Sequence, residues 1–124
     1  MDLDYLTGRI IGAAISVHNE LGPGLLESVY QACLTYELRE SGLVVAAEVA
    51  LPVKYRGRIM SEVGLRLDLL VEDQVVVELK SVEKVQPIHL KQVLTYLRLA
   101  HKPLGLLINF NELLLKNGIT RLAN

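Results

Sequence analysis

The chain has 124 residues, of which 51% are hydrophobic and 5% aromatic, and its formal net charge at pH 7 is −1. This length suits one compact domain, which predicts a single domain over residues 1–124. The near-neutral charge excludes the strongly basic body of a dedicated nucleic-acid-binding protein, although local basic patches remain compatible with it.

The apolar content is high for a domain this small, whose surface-to-volume ratio should demand more polar cover. Some of the apolar surface is therefore expected to meet another copy of the chain, which predicts a homo-oligomer. The one cysteine, Cys33, excludes an internal disulfide and fits a reducing cytoplasm. The acidic start MDLDYL predicts no signal peptide, and no apolar stretch approaches the roughly 20 residues of a membrane span.

Two amphipathic helices are predicted in the N-terminal third of the chain. Apolar residues recur at helical spacing from Leu3 to Leu21, and the LGPG segment at 21–24 ends this first helix. A second helix is expected from about residue 25 to residue 40, before Ser41 and Gly42. Its inward face is predicted to consist of Leu26, Val29, Cys33 and Tyr36.

The rest of the chain predicts three strands, a third helix and two further strands. The strands of the first group are expected at 43–55, 59–71 and 75–80, with turns at RGR and EDQ. Pro87 suits the first turn of a helix over 87–100, because its missing donor is unsatisfied there anyway. The apolar run LGLLINF is typical of a central strand, and GITRLA predicts a short edge strand. The order ααβββαββ indicates an α/β or α+β fold, one sheet flanked by helices.

The predicted hairpin LRLDLLVEDQVVVELKS, residues 65–81, raises a question of charge. Burying its apolar residues together fixes the register, because a slip of one residue would expose them. The apolar pairs expected on the buried face are Val71–Val75, Leu69–Val77 and Leu67–Leu79. The other face then sets Leu70 against Val76, Asp68 against Glu78 and Arg66 against Lys80. Each pair of opposed like charges costs roughly 0.2–1 kcal/mol.

Two interpretations of these charges stay open. In one, they form a solvated lattice in which diagonal contacts, Asp68 with Lys80 and Arg66 with Glu78, offset the repulsion. In the other, a divalent cation lies between the carboxylates of Asp68 and Glu78. Mg²⁺ prefers carboxylate oxygens and commonly takes one or two of them from a protein. Lys80, on the same face as Glu78, would then stand beside a water on that cation.

Other polar residues allow a structural and a functional interpretation. Gln92 and Tyr96 are four residues apart on the third helix and share a face, as a surface pair or as part of a site. Glu27, in the first turn of the second helix, is favoured there by the helix dipole. A basic cluster around a Gly turn suits a solvated hairpin tip or a phosphate contact; it consists of Lys54, Arg56 and Arg58. His18 and His101 show no metal-like spacing, and His89, near a helix N-terminus, suits a solvated surface residue better than a ligand.

These elements together resemble a known family. GLLESVY, residues 24–30, matches the signature of the GxxExxY proteins, a group within the PD-(D/E)xK nuclease superfamily. The similarity continues through LDLLVEDQVVVELKSVEKVQPIHLKQVLTYL and GLLINF, and so covers nearly the whole chain. The resemblance implies a restriction-endonuclease-like core with a mixed central sheet, which agrees with the predicted element order.

The resemblance also implies roles for individual residues around a metal. Asp68 and Glu78 match the metal ligands, helped by the backbone carbonyl of Leu79. Lys80 matches the residue that orients or activates the attacking water and stabilises phosphate charge. Glu27 matches the helix acid that in some branches completes the metal site.

The remaining matches are on the third helix and in the second strand. Gln92 and Tyr96 correspond to the helix positions that line the site. The Pro of the superfamily name is replaced by Leu67, which serves the apolar row instead. Tyr30 is expected to pack.

The implied function is a Mg²⁺- or Mn²⁺-dependent nuclease, a hydrolase of phosphodiester bonds in DNA or RNA. The complete set of acidic and lysine positions favours it. The alternative is a catalytically silent scaffold or interaction module that keeps the nuclease fold and forms homo-oligomers. The near-neutral charge and the apolar content favour that alternative, since phosphate neutralisation supplies most non-specific affinity for nucleic acid.

Overall fold

The structure, a computed structural model, describes residues 1–124 and has the predicted element order ααβββαββ. Its helices and strands are α1 (Leu3–Leu21), α2 (Glu27–Glu40), β1 (Val45–Tyr55), β2 (Arg58–Val71), β3 (Val75–Lys80), α3 (Pro87–Ala100), β4 (Leu104–Asn109) and β5 (Ile119–Ala123). A short 3₁₀ turn, Leu115–Gly118, precedes β5. No helix combines the length and the hydropathy that crossing a bilayer demands.

The five strands form one mixed sheet in the order β1-β2-β3-β4-β5. Only β3 and β4 are parallel, and α3 is the crossover between them. Every residue of β4 is buried, as its continuous apolar run predicts. Alternate residues of the central strands enter two separate cores, one against α1 and α2 and one against α3. The fold class is confirmed: helices flank a mixed sheet, as in a restriction-endonuclease-like core.

The predicted inward face of α2 is wrong. Leu26 and Tyr36 are 73% and 63% exposed, and Val29 is exposed as well, with Cys33 only partly buried. The buried face consists of Tyr30, Leu34, Thr35 and Leu38. Both stripes are apolar at helical spacing, so periodicity alone cannot choose between them. A tertiary contact decides, because the ring of Tyr30 stacks on Phe110 with centroids 4.5 Å apart.

The predicted register of the β2–β3 hairpin is confirmed at its turn end. Leu69 pairs with Val77, Leu70 with Val76 and Val71 with Val75. The three-residue loop between them is also present, with the Gln74 amide donating to the carbonyl of Val71. The backbone pairs between the two strands end at Leu69 and Val77, although β3 continues to pair with β4 as far as Lys80.

One part of the hairpin prediction is wrong, because β2 does not keep a single apolar face. Leu69 and Val71 enter the core beside α1 and α2, whereas Leu65 and Leu67 pack in the core beside α3. Leu67 therefore does not share a core with Leu79. The change of face occurs at Asp68, opposite Glu48 of β1, whose φ of 53° is left-handed backbone. Strict alternation requires regular extended backbone, and this residue interrupts it.

Candidate functional site

The two predicted acids meet where β2 and β3 separate. The Asp68 amide donates to Oε2 of Glu78 at 2.9 Å, and the Leu79 amide donates to Oδ2 of Asp68 at 2.9 Å. Each carboxylate thus takes the place of a backbone acceptor from the opposite strand. Because these bonds use one oxygen of each side chain, the second oxygens remain available. The structure brings Asp68 and Glu78 together, in the gap between the strands.

The electrostatics of this pair are unfavourable without a cation. Glu78 is only 5% exposed. Burial, followed by the negative charge of Asp68, raises the pKa of Glu78 to about 9, and the nearby Lys80 ammonium offsets a small part of this. Two carboxylates in a desolvated site cannot both ionise cheaply, so one of them holds a proton at neutral pH. A divalent cation would replace that proton.

Lys80 is the last residue of β3, and its backbone is held by the sheet. It pairs with Asn109 of the parallel strand β4, and its carbonyl accepts from the Phe110 amide at 2.9 Å. It follows Glu78 by two residues on β3, so the two side chains lie on the same side of the strand, and its charge slightly lowers the pKa of Glu78. Arg66, predicted to face Lys80 and to contact Glu78 diagonally, forms an ion pair with Glu48 of β1 instead. The diagonal ion pair of Arg66 with Glu78, which belonged to one of the two interpretations left open, is therefore not formed.

Tyr96 of α3 lies beside the two acids. Its pKa is raised, first by burial and then by the negative charges of Glu78 and Asp68. The phenol therefore keeps its proton across the physiological range and can donate a hydrogen bond. Gln92, one turn earlier on the helix, is exposed. The face that carries both residues thus runs from the carboxylates toward solvent.

Glu27 is exposed at the first position of α2. The loop before this helix is fixed by hydrogen bonds, which hold the start of α2 beside the end of β3. The Tyr30 hydroxyl donates to the carbonyl of Gly22 and accepts from the Leu25 amide. The Ser81 hydroxyl in turn donates to the Leu25 carbonyl at 2.6 Å.

This loop explains why glycine, glutamate and tyrosine stand at the GxxExxY spacing. Gly24 has a φ of 96°, which glycine adopts at least cost, and Tyr30 is fully buried as its anchor. Glu27 lies between them, at the start of the helix. Tyr30 packs, as expected.

Asn109 is a residue of this region that the sequence reasoning missed. It is fully buried, and its side-chain amide both accepts from the Val82 amide and donates to the Val82 carbonyl. It also accepts from the Asn111 amide. These bonds hold the chain where it leaves β3 directly after Lys80. The available signal was a single amide at the end of an otherwise apolar run, LGLLINF.

Two histidines have structural partners. The Nδ1 atom of His89 accepts from the Gln86 amide, which caps the start of α3. Nε2 of His18 lies 2.7 Å from the carbonyl oxygen of Glu112.

The donor set suits a hard divalent cation. Carboxylate and carbonyl oxygens are the ligands that Mg²⁺ prefers, and Mg²⁺ commonly keeps several waters, so two acids suffice. No group of three or more acidic, His or Cys side chains converges as a ready-made metal cluster. The contribution of Glu27 and that of the Leu79 carbonyl stay predictions.

Comparison with known proteins agrees with this geometry. Neither the curated proteins nor the solved structures contain a significant match to the chain. A family model described as PD-(D/E)XK nuclease superfamily matches residues 4–122. That match includes part or all of every helix and strand described above, and it contains both acids and Lys80. The chain therefore belongs to the PD-(D/E)XK nuclease superfamily.

Proposed function

We propose that this protein is a Mg²⁺- or Mn²⁺-dependent nuclease that hydrolyses phosphodiester bonds in DNA or RNA. The observation that carries the proposal is the convergence of Asp68 and Glu78 in the gap between β2 and β3. A buried acid with a raised pKa beside a second acid is a common signature of functional sites. Membership of the nuclease superfamily supports the same conclusion.

Each residue of the site has a distinct role in this proposal. Asp68 and Glu78 would hold the cation with the carbonyl of Leu79, and Glu27 would complete the set directly or through water. The cation, when bound, would neutralise the scissile phosphate and lower the pKa of a water.

The neighbouring residues position the substrate. Lys80 orients the attacking water and stabilises charge that develops on the phosphate. Tyr96, with its proton retained, donates to a phosphate oxygen, and Gln92 contacts the substrate at the solvent end of the same helix face.

Cleavage of labelled DNA and RNA by the purified protein in Mg²⁺ or Mn²⁺ tests the proposal. We expect Asp68→Asn and Lys80→Ala each to lower the rate by about 100- to 1000-fold, which is typical for loss of one electrostatic contact in the transition state. Lys116→Ala, which removes an exposed lysine of the 3₁₀ turn, is the control and should cleave normally. Cleavage that survives equally in Asp68→Asn and Lys80→Ala would identify a contaminating nuclease.

Metal binding can be measured separately from activity. A ligand at one hundred times its dissociation constant adds about 2.7 kcal/mol to the free energy of unfolding. A thermal-shift titration with Mn²⁺ should therefore raise the Tm of the wild type and leave that of Asp68→Asn unchanged. Equal shifts in both proteins would show that the cation binds elsewhere.

We further infer that the chain belongs to the GxxExxY group of the superfamily. Gly24 and Tyr30, the two ends of the motif, support this inference. Gly24 has a positive φ that glycine adopts most easily, and the hydroxyl of Tyr30 donates to the carbonyl of Gly22 in the loop before α2. Tyr30→Phe should weaken the loop without removing the core contact of the ring. We expect a lower rate of cleavage, since the loop carries Glu27, together with a Tm lowered by a few degrees, since both hydrogen bonds of a buried hydroxyl are lost.

The alternative, a homo-oligomeric scaffold, is supported by one observation. The outer face of α2 exposes Leu26, Val29 and Tyr36, an apolar stripe that nothing in the chain covers. We infer that a second copy packs there, with or without catalysis. Light scattering after gel filtration should give twice the chain mass for the wild type and the single-chain mass for Val29→Asp. A wild-type monomer at high concentration would exclude this association.

A further inference from the structure

A second feature of the molecule is a cleft between β1 and the C-terminal end of α3. It has a volume of about 500 Å³ and is lined by residues 51–54 and 98–101. None of the site residues described above lines it. Its size is within the range of about 300–1000 Å³ that ligand sites typically occupy.

The cleft exists because the distal part of the β1–β2 hairpin bends over α3. Leu51 and Val53 of β1 pack against the core that contains Val93 and Leu97 of α3. The pairing of β1 with β2 is irregular on both sides of Val53, which bends the hairpin there. A Cβ atom on Gly64 would lie 2.7 Å from a methyl group of Val53, so glycine is required for this close approach.

The lining of the cleft is cationic. Lys54 and Arg98 contribute permanent positive charges, His101 adds an imidazole, and none of the eight lining residues is acidic. By contrast, the cleft between α2 and β1 contains Glu40 and Glu48. The ion pairs of the molecule are Arg66–Glu48, Lys102–Asp73 and Arg121–Asp4, so the charges of Lys54 and Arg98 are not neutralised within the protein.

The hairpin tip continues the positive surface. Arg56 lies over the ring of Tyr55, with its guanidinium carbon 5.3 Å from the ring centre, and Arg58 follows the Gly57 turn. All four residues are exposed. Cations spread along a surface, beside an exposed aromatic ring, suit a ligand whose negative charges repeat along its length.

The cleft and the acidic site share α3. Tyr96 lies beside Asp68 and Glu78, and Ala100 lines the cleft one turn further along the helix. One turn of four residues spans about 6 Å of the helix axis. Successive nucleotides of one strand rise by about 3.4 Å. A strand whose scissile phosphate lies at the acids therefore passes the cleft within a few nucleotides.

We propose that this cleft binds a backbone phosphate of the nucleic-acid strand, held by Lys54 and Arg98, a few nucleotides from the scissile bond. The proposal rests on the proposed nuclease function, because it places the same substrate. The ligand is a phosphodiester backbone, since the lining offers two unpaired positive charges and no negative charge. The apolar wall, Leu51, Val53 and Leu99, contacts the adjoining sugar and base.

Nucleic-acid binding at a series of salt concentrations tests this subsite. Fluorescence anisotropy with labelled duplex DNA, single-stranded DNA and single-stranded RNA is measured in EDTA, in an Asp68→Asn background that prevents cleavage. Lys54→Ala and Arg98→Ala should each weaken binding several-fold. Each should also lower the slope of log affinity against log salt by about 0.9 on duplex or about 0.7 on single strands.

Matched variants separate a specific contact from loss of net charge. Lys116→Ala removes one exposed positive charge elsewhere and should leave the salt slope unchanged. Arg98→Lys keeps the charge and should retain most of the slope. In the active protein, Lys54→Ala should raise KM while kcat stays the same. Both replaced side chains are exposed, so an unchanged Tm is expected and verifies folding.

The two proposals can fail separately. Equal salt slopes for Lys54→Ala, Arg98→Ala and Lys116→Ala would overturn the subsite, whether or not the protein cleaves. Slopes that fall only in the cleft variants, in a protein that cleaves none of the three substrates, would retain the binding site and reject the nuclease. The substrate that gives the largest difference between Arg98→Ala and Lys116→Ala identifies the class of strand bound.

Discussion

The two faces of the sheet are built differently. The face beside α1 and α2 buries nineteen residues in one apolar cluster, whereas the face beside α3 buries six. The acids, Tyr96 and the cationic cleft all belong to the smaller face. A large dry core can carry most of the stability, which leaves the other face free to hold polar groups that repel each other. This difference predicts that substitutions beside α1 and α2 will mainly lower stability, whereas those beside α3 will also affect the pH dependence of stability and cleavage.

The largest expected loss of stability is in the core beside α1 and α2. A matched pair of buried leucines, one in each core, tests this prediction. Leu34 and Leu97 are both fully buried, one in each core. Leucine-to-alanine substitutions in cores cost about 2–5 kcal/mol, with the larger costs where neighbours cannot relax into the cavity. We expect Leu34→Ala near the upper end and Leu97→Ala near the lower end, measured by urea unfolding. The reverse order would contradict the division between the faces.

The second prediction concerns the pH dependence of stability on the α3 face. The pKa of Glu78 is about 9 in the folded protein and near 4.5 in the unfolded chain, so folding takes up a proton between these values. In EDTA, the free energy of unfolding should therefore fall as pH rises from about 5 to 9, by at most about 1.4 kcal/mol per unit. Glu78→Gln, a neutral side chain of the same shape, should lose this contribution.

Unfolding by urea at several pH values, for the wild type and Glu78→Gln, measures that difference. The difference cancels the titration of the groups that lie far from Glu78, which are the same in both proteins. A constant difference across the pH range would mean that Glu78 is ionised in the folded state. Glu83→Gln, an exposed glutamate in the loop after β3, is the matched control.

The third prediction concerns Asn109, which connects the end of β4 to the chain that leaves β3. Removing its side chain leaves the partly buried amide and carbonyl of Val82 without their partners, and losing these two hydrogen bonds costs about 1–3 kcal/mol. We expect Asn109→Ala to lower the free energy of unfolding by that amount and to impair cleavage, because the chain after Lys80 is released. Asn111→Ala, a half-buried neighbour whose backbone alone is bonded, should have a smaller effect on both.

The smallest effect is expected for the phenol beside the acids. Tyr96→Phe removes one hydroxyl and keeps the ring that packs in the α3 core. If the hydroxyl donates to the substrate phosphate, cleavage should fall by about tenfold, which corresponds to about 1.4 kcal/mol, while the Tm stays unchanged. Unchanged cleavage would limit Tyr96 to packing. Tyr5→Phe, an exposed tyrosine on α1, is the control.

Much of the fold followed from local patterns. The turn signals at 21–24, 56–58 and 72–74 lie where the structure turns, and the strands and helices begin and end within a few residues of their predicted limits. The pairing of Leu69 with Val77 followed from burying two apolar rows together. Local chemistry suffices in these places, because proline, glycine and strict alternation each allow few backbone conformations.

Other features could not be read from the sequence. The choice between the two apolar stripes of α2 depended on Phe110, about eighty residues further along the chain. The partner of Arg66 depended on a left-handed residue, Glu48, in a different strand. The importance of Asn109 appeared only once Val82 lay against it. Each of these is a contact between distant segments, and a periodic pattern contains no information about which distant segment it meets.

The sequence by itself determined the order of the elements, the pairing at the hairpin turn and the identity of the acidic and basic side chains at its open end. Those properties depend on residues that are close in the chain, where backbone sterics and apolar periodicity restrict the conformation. Only the tertiary structure decided that the strands separate at Asp68, that burial and repulsion leave Glu78 with a proton, and that the hairpin bends over α3 to form a cationic cleft. Desolvation and cleft shape are set by the packing of several elements at once, and no single segment contains them.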